Sequence, residues 1–356
     1  MFPYFLAKGN ILNQLQLMRF LDALLGAITA MLCFLFVREA VPGVRWAATV
    51  GGICVALQPL FAFMSGGVNP DVLMFTIGAA IFLSLLRAFR NGLTWRSALV
   101  LGLLTAAGYL TKLNFIGFGI GVFVGLCALA IRGMRSQGRR ALLPISLATV
   151  VGFAPPAIYV LINKLSGKPS FGPTSENVEG QTLEQIFHEV SYVWELYLPR
   201  LPGMPHYFRG LSTFTDVWFD RSVGFYGWMD VYFPTWVDTV ALFIAVPIAL
   251  LCFSELYARR AAVRARLLEL TTYAAITIGV LFVIGIPSYH SDIVGHIYAF
   301  GEPRYLLPML PLFGAAIALT VRGGRRWGPQ LGVILIVVFL AHDIFSQLQT
   351  IARYYS

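Results

Sequence analysis

Charge is what this 356-residue chain has least of: 12% of its residues are Asp, Glu, Lys or Arg, while 58% are hydrophobic. A soluble domain of such length carries about 25% charged residues, so a water-soluble globule is excluded. Cysteine is also scarce. Cys33, Cys54, Cys127 and Cys252 each lie inside an apolar stretch, with no CxxC pair. They read as small buried hydrophobes, which leaves no basis for a disulfide or a metal cluster. No basic segment, apolar run and small-residue cleavage site follow one another in the first 17 residues, so no signal peptide is expected.

Apolar stretches without charge run at 23–37, 46–64, 72–86, 97–111, 113–131, 141–163, 239–254, 270–289, 305–321 and 327–341. Several are shorter than the ~20 residues that cross hydrocarbon, so the helices must extend into their charged flanks, whose side chains reach the interface. The expectation is an all-α transmembrane protein, a polytopic helical bundle of about ten spans. Residues 1–163 form a six-span part, 164–236 one large outer loop, and 237–356 a four-span part. Only Lys112 separates the fourth and fifth stretches, and Gly117, Gly119 and Gly121 close behind it favour a tight hairpin over one broken helix.

Sidedness follows from the cations. Sixteen of the 26 Lys and Arg fall in five alternate short connections, around Arg38 and Arg45, Arg87 to Arg96, Arg132 to Arg140, Arg259 to Arg266, and Arg322 to Arg326. Basic turns stay in the cytoplasm, so the net charge of +9 is no nucleic-acid signal. The protein is expected in the plasma membrane, with loop 164–236 and both termini outside. An outer N-terminus without a signal peptide normally needs a preceding span, so the chain reads as the remainder of a longer one lacking at least its first helix.

The outer face holds most of the acids. In loop 164–236, Leu183, Ile186, Phe187, Val190, Val193 and Trp194 recur at helical spacing over about 181–197, which predicts an amphipathic helix on the membrane surface. From Tyr207 to Trp236, 11 of 30 residues are aromatic, either an interfacial belt or a platform for a lipid ligand. In Ser65-Gly-Gly-Val-Asn69-Pro70-Asp71, Asn69 suits a helix N-cap, Pro70 the first helical position and Asp71 the first turn; Asp71 reads alternatively as a functional acid facing a cavity. Lys112 is either a snorkelling cation or a phosphate contact. Arg304 either pairs with Glu302 or forks onto a phosphate. His290 and His296, flanking Asp292, are a weak metal signal and read as solvated loop residues.

Five segments taken in order, Arg19-Phe-Leu-Asp22-Ala-Leu-Leu-Gly26, Ser65 to Asp71, Gly108-Tyr-Leu-Thr-Lys112, Phe225-Tyr-Gly-Trp228-Met-Asp230 and Pro303-Arg304-Tyr305-Leu-Leu-Pro308, give a pattern that resembles a bacterial family of predicted membrane proteins related to the GT-C glycosyltransferases. The resemblance covers nearly the whole chain. It implies a GT-C-like bundle that moves a sugar from a polyprenyl-phosphate-linked donor on the extracytoplasmic face. It implies Asp71 as the catalytic acid, and Lys112, Arg304, Asn69, Tyr305, Trp228 and Asp230 as substrate-binding residues, with membrane lipids as further partners. The family's first outer loop, where such enzymes place their principal acid, has no counterpart here. No cofactor is implied, and metal dependence stays open. A lipid or polysaccharide transporter or flippase, with breaks at Gln58-Pro59 and Pro155-Pro156, and a non-catalytic assembly subunit are the competing readings.

Overall fold

A computed structural model describes residues 10–169, 182–208, 218–226, 231–294 and 302–355. Its long helices are α1 (Ile11–Ala40), α2 (Arg45–Ala56), α3 (Pro59–Gly66), α4 (Asp71–Asn91), α5 (Trp95–Thr111), α6 (Phe115–Gln137), α7 (Leu142–Leu165), α8 (Leu183–Tyr197), α9 (Thr235–Ala258), α10 (Leu267–Tyr289), α11 (Leu310–Gly323) and α12 (Gly328–Tyr355). The protein is an all-α polytopic bundle. Its one sheet among the described residues is a ribbon of two-residue strands, β1 (Phe225–Tyr226) and β2 (Val231–Tyr232), with Phe225 opposite Tyr232.

All ten apolar stretches are helical. Among the described residues, eight helical segments are long and apolar enough to span a membrane, and α2 with α3, bent by 56°, is either a broken ninth span or a re-entrant loop. The expected tenth, α5, has only 17 residues and at 1.5 Å per residue reaches about 26 Å, short of the ~30 Å of hydrocarbon. The bend is written in the sequence. Pro59 opens α3, and the Gln58 side chain accepts the Phe61 amide at 2.6 Å, so chain entry and cap coincide. Pro155 and Pro156, the other candidate break, lie inside continuous α7. At Lys112 the chain makes the expected hairpin: the Tyr109 and Phe115 rings meet edge to face at 5.0 Å, and a Cβ at Gly119 would collide with the Tyr109 hydroxyl.

The described residues cluster into two compact units. The first comprises residues 1–91, 222–270 and 306–356. There α1 packs on α2 and α4, and α11 packs on α2 and α9. Gly51 and Gly314 let α2 and α11 approach until a Cβ on Gly51 would strike the Gly314 carbonyl, the small-residue contact that membrane helices use for dispersion energy. The Thr29 and Thr76 hydroxyls bond at 2.8 Å between α1 and α4, and Phe36 packs edge to face on Phe82 at 5.8 Å. One end of this unit gathers four of the five basic connections. Arg87 clamps Glu39 at 2.6 Å, Arg266 donates to the Ala40 carbonyl, and Arg322 donates to the Pro42 carbonyl and pairs with Glu255 at 3.2 Å.

The second unit comprises residues 92–221 and 271–305. Here α5 lies along α7, with Gly102 and Gly152 at the seam, and α6 runs antiparallel to α10. A Cβ on Gly117 would strike the Gly279 carbonyl, and one on Gly121 would strike Ile276.

The predicted amphipathic helix is α8, started by a capping box between Thr182 and Gln185. Its apolar residues divide between two faces. Tyr192, Val193 and Leu196 are buried, while Leu183, Ile186, Phe187 and Val190 are exposed. The cysteines are all unbridged. Cys33 and Cys54 are buried as expected, but Cys127 is exposed on an outward face of α6.

Candidate functional site

In the first unit the residues of interest collect about Asp22. That carboxylate leaves α1 and accepts the backbone N–H of Asn69 at 2.7 Å. Asn69 in turn accepts the Asp71 amide on its own side-chain oxygen at 2.9 Å. The expected cap therefore forms, with Asp71 as the first residue of α4 and its negative charge at the positive end of the helix dipole. Both carboxylates are deep in the fold, with Asp22 9% and Asp71 5% exposed. A buried carboxylate persists only when protein donors replace its water, and the Asn69 amide does so for Asp22. Eighteen residues separate Asp22 from the basic end at Ala40, and 19 separate Asp71 from Arg90. At 1.5 Å per residue both spacings approach the ~30 Å of hydrocarbon. The acids thus lie one membrane thickness from the arginines of their own unit.

In the second unit the cations converge on one ring. Lys112 caps the C-terminus of α5, and its ammonium lies 4.9 Å from the centre of the Tyr305 ring. The Arg304 guanidinium lies 5.2 Å from the same centre. Glu302, buried at 6% exposure, forms an ion pair with Arg304. A cation over an aromatic face gains about 0.5–2 kcal/mol, more as water is excluded. The ring and the carboxylate thus hold two positive charges together at the start of the 3-10 turn Pro303–Met309. Of the two partners weighed for Arg304, Glu302 is in place.

Where α8 meets the end of α10, a polar and aromatic cluster forms that sequence reading left aside. The Tyr192 hydroxyl bonds to that of Ser288 at 2.9 Å, and His188 Nδ1 lies 2.7 Å from the Tyr207 hydroxyl. Glu195 accepts the Tyr207 amide and pairs with His206 at 2.8 Å. Burial, then Tyr289 and Glu195, push the Tyr207 phenol up to about 12. His290 was expected as a solvated loop residue and is not one: its side chain is only 13% exposed and lies 3.2 Å from Glu189. The reason is tertiary, since α8 folds over the last turn of α10 and covers it.

Of the expected site residues, Lys112, Arg304 and Tyr305 come together in one unit, and Asn69 and Asp71 come together in the other. Trp228 and Asp230 lie outside the described residues, as do His296 and Phe214 of the aromatic segment. Trp218 and Phe233 from that segment point inward, Trp218 donating to the Leu196 carbonyl and Phe233 stacking on Phe345 at 5.2 Å. Among the described residues, no group of three or more His, Cys, Asp or Glu is arranged to hold a metal ion. Asp22 and Glu189 escaped the sequence reading as site residues. A signal existed for Asp22, an acid embedded in an apolar helix; Glu189 looks like any solvent-facing residue of an amphipathic helix.

A family model described as dolichyl-phosphate-mannose-protein mannosyltransferase matches residues 1–159. No curated protein and no solved structure matches the chain. The matched part carries α1 to α6, most of α7, both first-unit acids and Lys112. The match covers less than half of the chain; with the helical architecture it marks a polytopic membrane protein whose N-terminal part is similar to that mannosyltransferase family.

Proposed function

We propose that this protein transfers a sugar from a polyprenyl-phosphate-linked donor, at the membrane face opposite its arginine-rich turns. The observation that carries this reading is the pair of cations, Lys112 and Arg304, held on Tyr305. Transfer from a lipid phosphate needs positive charge where the phosphate departs. Two cations preorganised by a ring and a buried carboxylate supply it without reorganising during the reaction. The acceptor oxygen bonds to the anomeric carbon as the bond from that carbon to the phosphate oxygen breaks. The electron pair stays on the phosphate, facing Lys112 and Arg304, and the acceptor proton passes to a carboxylate, the role that the family resemblance implies for Asp71. Asp22 and Asn69 set the start of α4 and so the position of Asp71. The family resemblance adds Trp228 and Asp230 as donor contacts. The lipid chain remains in the bilayer against apolar helix flanks.

The test is sugar transfer by the full chain in lipid nanodiscs, with polyprenyl-phosphate-linked hexoses as donors. Lys112→Ala and Arg304→Ala should each raise the donor KM at least tenfold, and Asp71→Asn should lower kcat about 100-fold or more. Wild-type rates in all three variants would refute the assignment.

A further inference from the structure

We propose that Glu189 and His290 form a subsite for the hydroxyl groups of the donor sugar, an inference that rests on the glycosyl-transfer reading above. Glu189, from α8, is more than nine-tenths buried, and its Oε1 lies 3.2 Å from Nε2 of His290 just beyond α10. The two side chains are close but not aligned for a hydrogen bond. Glu189 Oε1 and both ring nitrogens of His290 are buried with no hydrogen-bond partner among the described residues. Buried polar atoms in native proteins are almost always satisfied. Three unsatisfied ones in one place define a spot built for a polar guest. A carboxylate oxygen only accepts, whereas an imidazole offers one donor and one acceptor. That combination matches neighbouring sugar hydroxyls, each of which both donates and accepts.

The surroundings suit a sugar rather than an ion. The Tyr289 ring lies 5.4 Å from that of His290 and 5.4 Å from that of Tyr192, and Tyr207 stands 6.3 Å from Tyr289. The Tyr192 and Tyr207 hydroxyls are already engaged, by Ser288 and His188. These rings therefore offer apolar faces, which pack on the C–H face of a pyranose. His290 opens a π-helical turn, His290–Val294, a distortion of helix geometry found mostly at functional positions. The location also fits. Because α6 and α10 run antiparallel, with Gly117 beside Gly279 and Val283, the His290 end of α10 lies at the start of α6, the end that Lys112 precedes. Subsite and phosphate cations share one end of one unit.

The experiment compares binding of polyprenyl phosphate and of polyprenyl phosphohexose to the full chain in nanodiscs. The wild type should bind the hexose-bearing lipid more tightly. Glu189→Gln and His290→Gln should weaken that lipid roughly tenfold to 100-fold, as expected for lost hydrogen bonds to a charged group, and leave the sugar-free lipid unchanged. Retained binding of the sugar-free lipid shows that each variant is folded, and the less buried His290 site serves where Glu189→Gln does not fold. Equal wild-type affinity for the two lipids, or folded variants that bind both as the wild type does or lose both alike, overturns the subsite. Wild-type protein that binds neither lipid overturns the donor reading and the subsite with it. Lys112→Ala separates the two, because it should weaken both lipids.

Discussion

Removal of the Asp22 carboxylate should unfasten the Ser65–Asp71 connection. The bond from the Asn69 amide to Asp22 is 2.7 Å long, charge-assisted and part-buried, and bonds of that kind contribute about 1.5–3 kcal/mol. In Asp22→Ala the amide loses its acceptor where little water reaches it, so the closed connection is destabilised by that amount. At about 1.4 kcal/mol per factor of ten, local opening becomes roughly 10- to 150-fold more frequent. Hydrogen–deuterium exchange by mass spectrometry in nanodiscs reads this directly. Peptides covering residues 65–72 should exchange faster by that factor, while peptides within α5, in the other compact unit, keep their wild-type rates. Asp22→Asn retains an acceptor oxygen but not the charge, so its effect should be several-fold only. Unchanged exchange in Asp22→Ala, or equal acceleration in both variants, would refute a charge-assisted tether. Because the same connection orients the Asn69 cap and the Asp71 amide at 2.9 Å, kcat for sugar transfer should fall together with protection.

Gly117→Ala should separate α6 from α10, because its Cβ would strike the Gly279 carbonyl, a backbone atom that cannot swing aside; a loss of about 1–3 kcal/mol, seen as a lower thermal midpoint in detergent, is expected, and an unchanged midpoint would refute the close approach. Tyr207 should titrate near 12 rather than 10. The folded protein then keeps this proton where the unfolded chain has lost it, so the associated stability is complete below pH 10 and disappears as pH rises to about 12. The 295 nm difference titration of wild type against Tyr207→Phe reports the midpoint, and a value of 10 would contradict the assigned burial. Cysteines introduced at Leu183 and Arg326 should label oppositely in intact cells whose four native cysteines are replaced, Leu183→Cys reacting with a membrane-impermeant thiol reagent and Arg326→Cys remaining protected. The reverse pattern would invert the proposed sidedness.

Which parts of this architecture were legible in the chain depends on how local their causes are. The Gln58-Pro59 break, the Asn69 cap and the Thr182 capping box are decided within four residues, by a side chain reaching a nearby amide or by a ring that cannot donate. The hairpin at Lys112 was readable because small residues follow it and admit the Tyr109 ring. Glu189 and His290 were not, since they are about 100 residues apart in sequence and meet only through the docking of α8 on α10. The split of the α8 apolar residues was hidden for a related reason: hydrophobic spacing reports that a helix has an apolar side, not whether protein or lipid covers it.

Composition and hydropathy by themselves determined a membrane bundle and its apolar helices, because the transfer of apolar and charged groups between water and hydrocarbon is set residue by residue. Tertiary structure alone decided that Asp22 holds the start of α4, that Lys112 and Arg304 meet on Tyr305, and that Glu189 faces His290. These contacts join segments tens to hundreds of residues apart, and their geometry depends on how closely glycine-lined helices approach, a property of pairs of surfaces that no single stretch of sequence carries.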